Sequence, residues 1–229
     1  MRKHSALNRQ YGFTMVEVMI ALTISAFLLL IIMVMFSSTS SSRALQTALA
    51  GINESGRFSV SMLGRDLRMA GYIDNNWFDG AGANSISVVH GAAADGGDTL
   101  TVRYEAAKDC LYADSAGGIA VNAYAINTTD FTLECNGEAI VDDVEQMQIY
   151  LGQDTDGDGV ANRMMAPNDV GLDMAQVVSL RVNLLIRSTN DRRASGTQTY
   201  VYDDASVTAT DSRIRRQYSL TVSLRNPIS

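Results

Sequence analysis

The stretch Asp154-Thr-Asp-Gly-Asp-Gly-Val-Ala-Asn162 holds the densest chemistry in this 229-residue chain. Carboxylates at alternate positions followed by glycine curl a loop, so that Asp154, Asp156 and Asp158 converge. Such a set suits calcium, a hard cation that takes oxygen ligands. Gly159 takes the sharp turn, the Val160 carbonyl falls at the seventh position and Asn162 at the ninth. The twelfth position, where a bidentate acid belongs, is Met165; Asp169 and Asp173 stand further along at other spacings. Asp-Gly pairs also favour a plain solvated hairpin turn. Two readings stay open: a bare turn, or a weak calcium site with a dissociation constant on the order of 10⁻⁴–10⁻³ M. Calcium is the only cofactor the sequence suggests.

Catalytic arrangements find little support. His4 and His90 are the only histidines, and His90 sits in a glycine-rich turn region. Neither a Gly-x-Ser-x-Gly elbow nor a Gly-x-x-x-x-Gly-Lys-Ser/Thr phosphate loop accompanies them. The expectation is a non-enzyme in which His90 is a surface or edge residue. The basic clusters Arg192-Arg193 and Arg213, Arg215, Arg216 are read as ion-pairing partners and solvated faces rather than a nucleic-acid surface. The chain as a whole carries −7.

That charge is unevenly spread. Residues 1–12 contain Arg2, Lys3 and Arg9 and no acid; without them 15 basic side chains face 25 acidic ones, a net −10. The next 24 residues, Phe13 to Phe36, are apolar except for Glu17 and a few small polar side chains. As a helix they span about 36 Å against a hydrocarbon core of about 30 Å. A basic start before such a run marks export with the positive end held in the cytoplasm, and the length favours a retained anchor over a cleaved signal, whose apolar region is about 7–15 residues, while the polar run Ser37–Ser42 leaves a conventional cleavage site open. Composition excludes disorder, collagen-like repeats and a polytopic membrane protein. Outside the cytoplasm, the only cysteines, Cys110 and Cys135, are expected to form a disulfide. Two cysteines without nearby histidines make a poor zinc site.

Glu17 is out of place in an apolar helix, where a carboxylate costs about 2.5–3.5 kcal/mol. Its neighbours, Gly12-Phe13-Thr14-Met15-Val16-Glu17, resemble the prepilin peptidase motif of type IV pilins: a short basic leader ending in Gly, cut before Phe, with Glu fifth in the mature chain. The resemblance implies cleavage between Gly12 and Phe13, N-methylation of Phe13, and a Glu17 carboxylate that meets the amine of an adjacent subunit and sets filament register. Further on, Arg57-Phe58 and Leu63-Gly-Arg-Asp-Leu-Arg-Met-Ala-Gly-Tyr72 are similar to the stretch after the first helix in PilW-type minor pilins. A related Arg-Asp-Leu-Arg stretch occurs in the J-type pseudopilins of type II secretion. The match covers roughly residues 1–72.

These residues need elements to place them. No proline occurs between Met1 and Ala166, so one helix can run on from Phe13. Leu45, Leu49, Ile52, Ser59, Met62, Leu63, Leu67 and Ala70 recur at helical steps, with Arg43, Gln46, Asn53, Glu54, Arg57, Arg65 and Asp66 mostly between them. Gly71 is expected to end the helix. Beyond residue 75 the period falls to two. Strands are expected at 99–104, 146–151, 178–186 and 217–225, and shorter ones at 85–89, 119–126, 131–135 and 198–202. Gly- and Asp-rich turns are expected at 79–84, 91–98 and 114–118.

The expected fold class is therefore α+β and type IV pilin-like, a long N-terminal helical spine packed on an antiparallel sheet covered on one side. The expected organisation is a leader over 1–12, a transmembrane and filament-core helix over 13–36, its amphipathic continuation over 37–72, and a β-rich periplasmic domain over 73–229. The resemblance implies a PilW-like minor pilin that primes or caps pilus assembly. It would be anchored in the inner membrane and exposed on the pilus after assembly, with prepilin peptidase, other minor pilins and the major pilin as partners. The alternatives are a J-like pseudopilin, a tip adhesin or DNA-uptake subunit, and an anchored periplasmic domain outside any filament.

Overall fold

A computed structural model describes residues 12–73, 85–189 and 197–226. Helix α1 runs from Met15 to Met69, and Gly71 follows at φ +71° in the left-handed region that stops a helix. The chain divides into two compact units after Leu45. In the first, every residue from Phe13 to Phe36 is exposed, the large apolar side chains by 48 to 89%. It contains the one described stretch of helix long and apolar enough to cross a membrane.

The second unit begins at Gln46 and holds the remaining helix and all the strands. Strands β1 (Ile86–Val89), β2 (Thr99–Glu105), β3 (Ile119–Asn127), β4 (Thr132–Cys135) and β5 (Glu138–Asp142) form an antiparallel meander in chain order. A second antiparallel sheet has the order β11-β8-β6-β7, with β6 Val144–Gln153, β7 Arg163–Met165, β8 Val177–Arg187 and β11 Arg215–Ser223. Strands β9 (Gln198–Tyr202) and β10 (Ala205–Ala209) make a hairpin whose turn residues, Asp203 and Asp204, both have positive φ. The expected single sheet is thus two sheets and a hairpin.

The sheets meet where the 96–98 segment runs beside β6. Met147 donates its N–H to the Gly96 carbonyl at 2.9 Å, and Asp98 donates its own to the Met147 carbonyl at 2.8 Å. The Ile149 N–H, next in line, goes to Asp98 Oδ2 at 2.7 Å, a carboxylate doing what a strand carbonyl would do.

Ile52, Leu63 and Leu67 of α1 join one apolar core with Leu100, Leu133, Met147, Leu180, Leu184 and others from both sheets. The helix lies on β11 through Gly56, where an added methyl would clash with the Tyr218 ring, and near Leu220 through Gly64. Asn53 Oδ1 accepts the Tyr218 hydroxyl at 2.6 Å on the same contact.

Burial corrects three expectations. Phe58, an apolar residue on the amphipathic continuation of the helix, is 54% exposed rather than in the core. Ser179 and Asn183, the polar alternates of a strand expected to be covered on one face only, are buried; hairpin residue Asp203 takes the Asn183 amide at 3.0 Å. Asp66, placed by its charge on the solvent face of the helix, is fully buried.

Candidate functional site

The N-terminal end of α1 places Phe13, Thr14 and Glu17 together. Thr14 precedes the first helical residue, where N–H groups lack partners. The Glu17 N–H donates to Thr14 Oγ1 at 3.2 Å, while the Thr14 N–H and hydroxyl both donate to Glu17 Oε2 at 2.9 Å. This is a reciprocal capping box, Thr at N-cap and Glu at N3. Both contacts fall on one carboxylate oxygen. Among the described residues Oε1 accepts no hydrogen bond, and Phe13 alongside is 89% exposed. The sequence reading named Glu17 but missed Thr14, although Thr-x-x-Glu before an apolar run is a recognisable signal. Gly12 is described and exposed; the rest of the expected leader lies outside the described residues.

The acidic loop forms between β6 and β7. Asp154, Asp156 and Asp158 each offer a carboxylate oxygen, all within 4.8 Å of one another, with Asp154 buried and the other two exposed. Asp154 Oδ1 accepts the N–H groups of Asp156 and Gly157 at 3.2 and 2.7 Å, and Oδ2 accepts that of Gly159 at 2.7 Å. These donors, Gly159 first, hold the Asp154 carboxyl below the usual range. Gly159 takes the turn at φ +85°. The Val160 N–H goes to Asp158 Oδ1, and Asn162 Oδ1 accepts the Thr155 N–H at 2.8 Å. Met165, at the twelfth position, is buried in β7 opposite Leu151. Asp169 and Asp173 serve their own turns, accepting the N–H groups of Ala166 and Ala175. Neither joins the three-carboxylate group.

Cys110 and Cys135 are disulfide-bonded, tying the 107–115 loop to the end of β4. Asn122 and Asp109 brace the same loop, Asn122 Oδ1 accepting the Cys110 N–H and Asp109 Oδ1 those of Leu111 and Ala113.

Asp66 was not anticipated as a structural centre. Its Oδ2 accepts the Tyr124 hydroxyl at 2.6 Å and the Asn122 amide at 2.5 Å; Oδ1 accepts the Tyr104 hydroxyl and Arg65 Nε, each at 3.2 Å. Burial first, and the Asp66 charge second, push the Tyr104 hydroxyl up to about 12 and raise that of Tyr124 further. A single carboxylate thus fixes α1 to β2 and β3.

The arginines are largely spoken for. Arg215, with 4% of its side chain exposed, forks onto Glu145 at 2.6 and 2.9 Å and onto Asp211 at 2.6 and 2.7 Å. Arg213 donates to the Ser188 and Thr189 carbonyls, and Arg216 to Asn53. Arg192 and Arg193 lie outside the described residues. His90 Nδ1 is 2.8 Å from Asp98 Oδ1, on the carboxylate that bridges the sheets.

Comparison with known proteins finds matches toward both ends of the chain. Residues 121–226 match the family model described as type IV pilus-assembly protein W, and residues 7–33 match the prokaryotic N-terminal methylation motif. Between them the two matches take in more than half of the chain. A solved type IV-like pilin from Thermus thermophilus is similar at 14% identity and a TM-score of 0.48, covering 77% of this chain and 98% of its own. No curated protein matches.

Proposed function

We propose that this chain, which belongs to the type IV pilus-assembly protein W family, is a minor pilin that primes the filament or caps its tip. Its work is assembly rather than turnover. Prepilin peptidase removes residues 1–12 and leaves Phe13 as the mature, methylated terminus. The helix over 13–36 holds the subunit in the inner membrane and then passes into the filament core by apolar packing, while the domain beyond residue 72 meets other minor pilins.

The observation that carries this reading is the capping box. Thr14 holds Glu17 Oε2, and Oε1 remains for the amine of an adjacent subunit. In a low-dielectric bilayer that attraction offsets the cost of keeping a carboxylate there. The acidic loop enters as a weak calcium site on the convergence of Asp154, Asp156 and Asp158, steadying the β6–β7 corner.

The test is complementation of cells lacking the gene. Glu17→Ala is expected to accumulate at mature size yet leave surface pili at the deletion level, on the order of tenfold below wild type. Normal piliation with Glu17→Ala would overturn the register role. Intact pili with lost protein secretion would favour a type II pseudopilin instead.

A further inference from the structure

Among the described residues, strand β11 leaves one long edge of its sheet open. It pairs with β8 over Arg215–Ser223 without a register shift, and no other described strand pairs with it. The bonds flanking that ladder fix its phase. Leu224 donates its N–H to the Val178 carbonyl at 2.9 Å, and Ser188 donates its own to the Ile214 carbonyl at 2.8 Å. Because bonded and non-bonded pairs alternate in an antiparallel ladder, the even-numbered residues face β8. Gln217, Ser219, Thr221 and Ser223 therefore aim their N–H and C=O groups outward, and the last three are exposed.

Proteins blunt such edges with proline, lysine, bulges or short length. This one has nine residues with no proline, lysine or bulge, and its charged side chains, Arg215 and Arg216, stand together at one end. We propose that the open edge of β11 docks an extended, acid-bearing segment of another pilus subunit, which adds a strand to this sheet. The inference rests on the pilus reading above.

Two features choose the occupant. A row of outward backbone groups is matched residue for residue only by another extended backbone. Charge then selects which one. From Ser212 to the end the chain carries four arginines and no acid, in a protein whose total charge is −7. Arg215 is neutralised internally, whereas Arg216 reaches only the neutral Asn53, and neither Arg216 nor Arg225 has a carboxylate partner among the described residues. A second copy of β11 would bring arginine against arginine. A segment with an aspartate or glutamate near Arg216 would relieve that charge.

The experiment uses the full-length protein in detergent, alone and co-expressed with the other pilin-type subunits of its own cell. Amide exchange at residues 217, 219, 221 and 223 is expected to be fast alone and at least tenfold slower in the complex. Ser219→Pro removes one outward N–H and no ladder bond to β8, so it should lose the co-purifying subunits while Ser219→Ala keeps them. Arg216→Glu should weaken the complex at least tenfold by charge alone, should the proline variant misfold. Outward amides equally protected in both samples, or complexes indifferent to Ser219→Pro and Arg216→Glu, would overturn the proposal. Absence of any co-purifying pilus subunit with the wild-type chain would overturn the pilus reading itself, and the docking proposal with it.

Discussion

The hydroxyl of Tyr124 donates to Asp66 Oδ2 at 2.6 Å, joining the centre of β3 to a helical carboxylate that solvent does not reach. Tyr104 and Asn122 complete the cage. Removing the acceptor strands several buried donors, each costing about 1–3 kcal/mol. Asp66→Ala is therefore expected to lose on the order of 3–5 kcal/mol, and Tyr124→Phe about 1–2 kcal/mol. Denaturant titration of both variants checks this; a loss below about 1 kcal/mol for Asp66→Ala would contradict it.

Arg215 draws the Asp211 carboxyl below its ordinary 3.8 by a direct hydrogen bond. A depressed carboxyl contributes stability that is full above the unfolded value and lost as pH falls through the folded one. Asp211→Asn should thus lower stability by about 1–3 kcal/mol at neutral pH. The gap from wild type should stay constant down to about pH 5 and close below 3.8. Melting temperatures of the two proteins across pH 2–7 would show it. A gap unchanged at the acid end would refute the pairing as its source.

For the acidic loop, calcium titration of the full-length protein in detergent is expected to give a dissociation constant on the order of 10⁻⁴–10⁻³ M, abolished by Asp156→Asn with Asp158→Asn. Asp154 already has three N–H donors, so the loop should keep its shape without the ion. No binding at several millimolar would leave it a turn.

The fold was legible where periodicity is long. The alternation of Thr99–Tyr104 became β2, the run to Ile186 became β8, and the expected strand at 198–202 is β9. Three strands escaped because they are too short or too weakly alternating to register: Glu138–Asp142, Arg163–Met165 and Ala205–Ala209. The two sheets are joined through Asp98 at the β6 edge, and no local pattern announces a carboxylate used in place of a strand. Asp66 was hidden for a related reason. A charged residue between apolar helical positions reads as solvent-facing, and only the tyrosines of β2 and β3, distant in sequence, make its burial affordable. At the N-terminus, by contrast, Glu17 stood out because its cost in an apolar helix demands a partner.

The central claim, that this is a processed pilin, turns on one bond. Intact mass and N-terminal sequencing of the protein from its native membrane would read it directly. A chain beginning at Phe13 with one added methyl is the predicted result. A chain beginning at Met1, or cut between Ser37 and Ser42, would contradict the account.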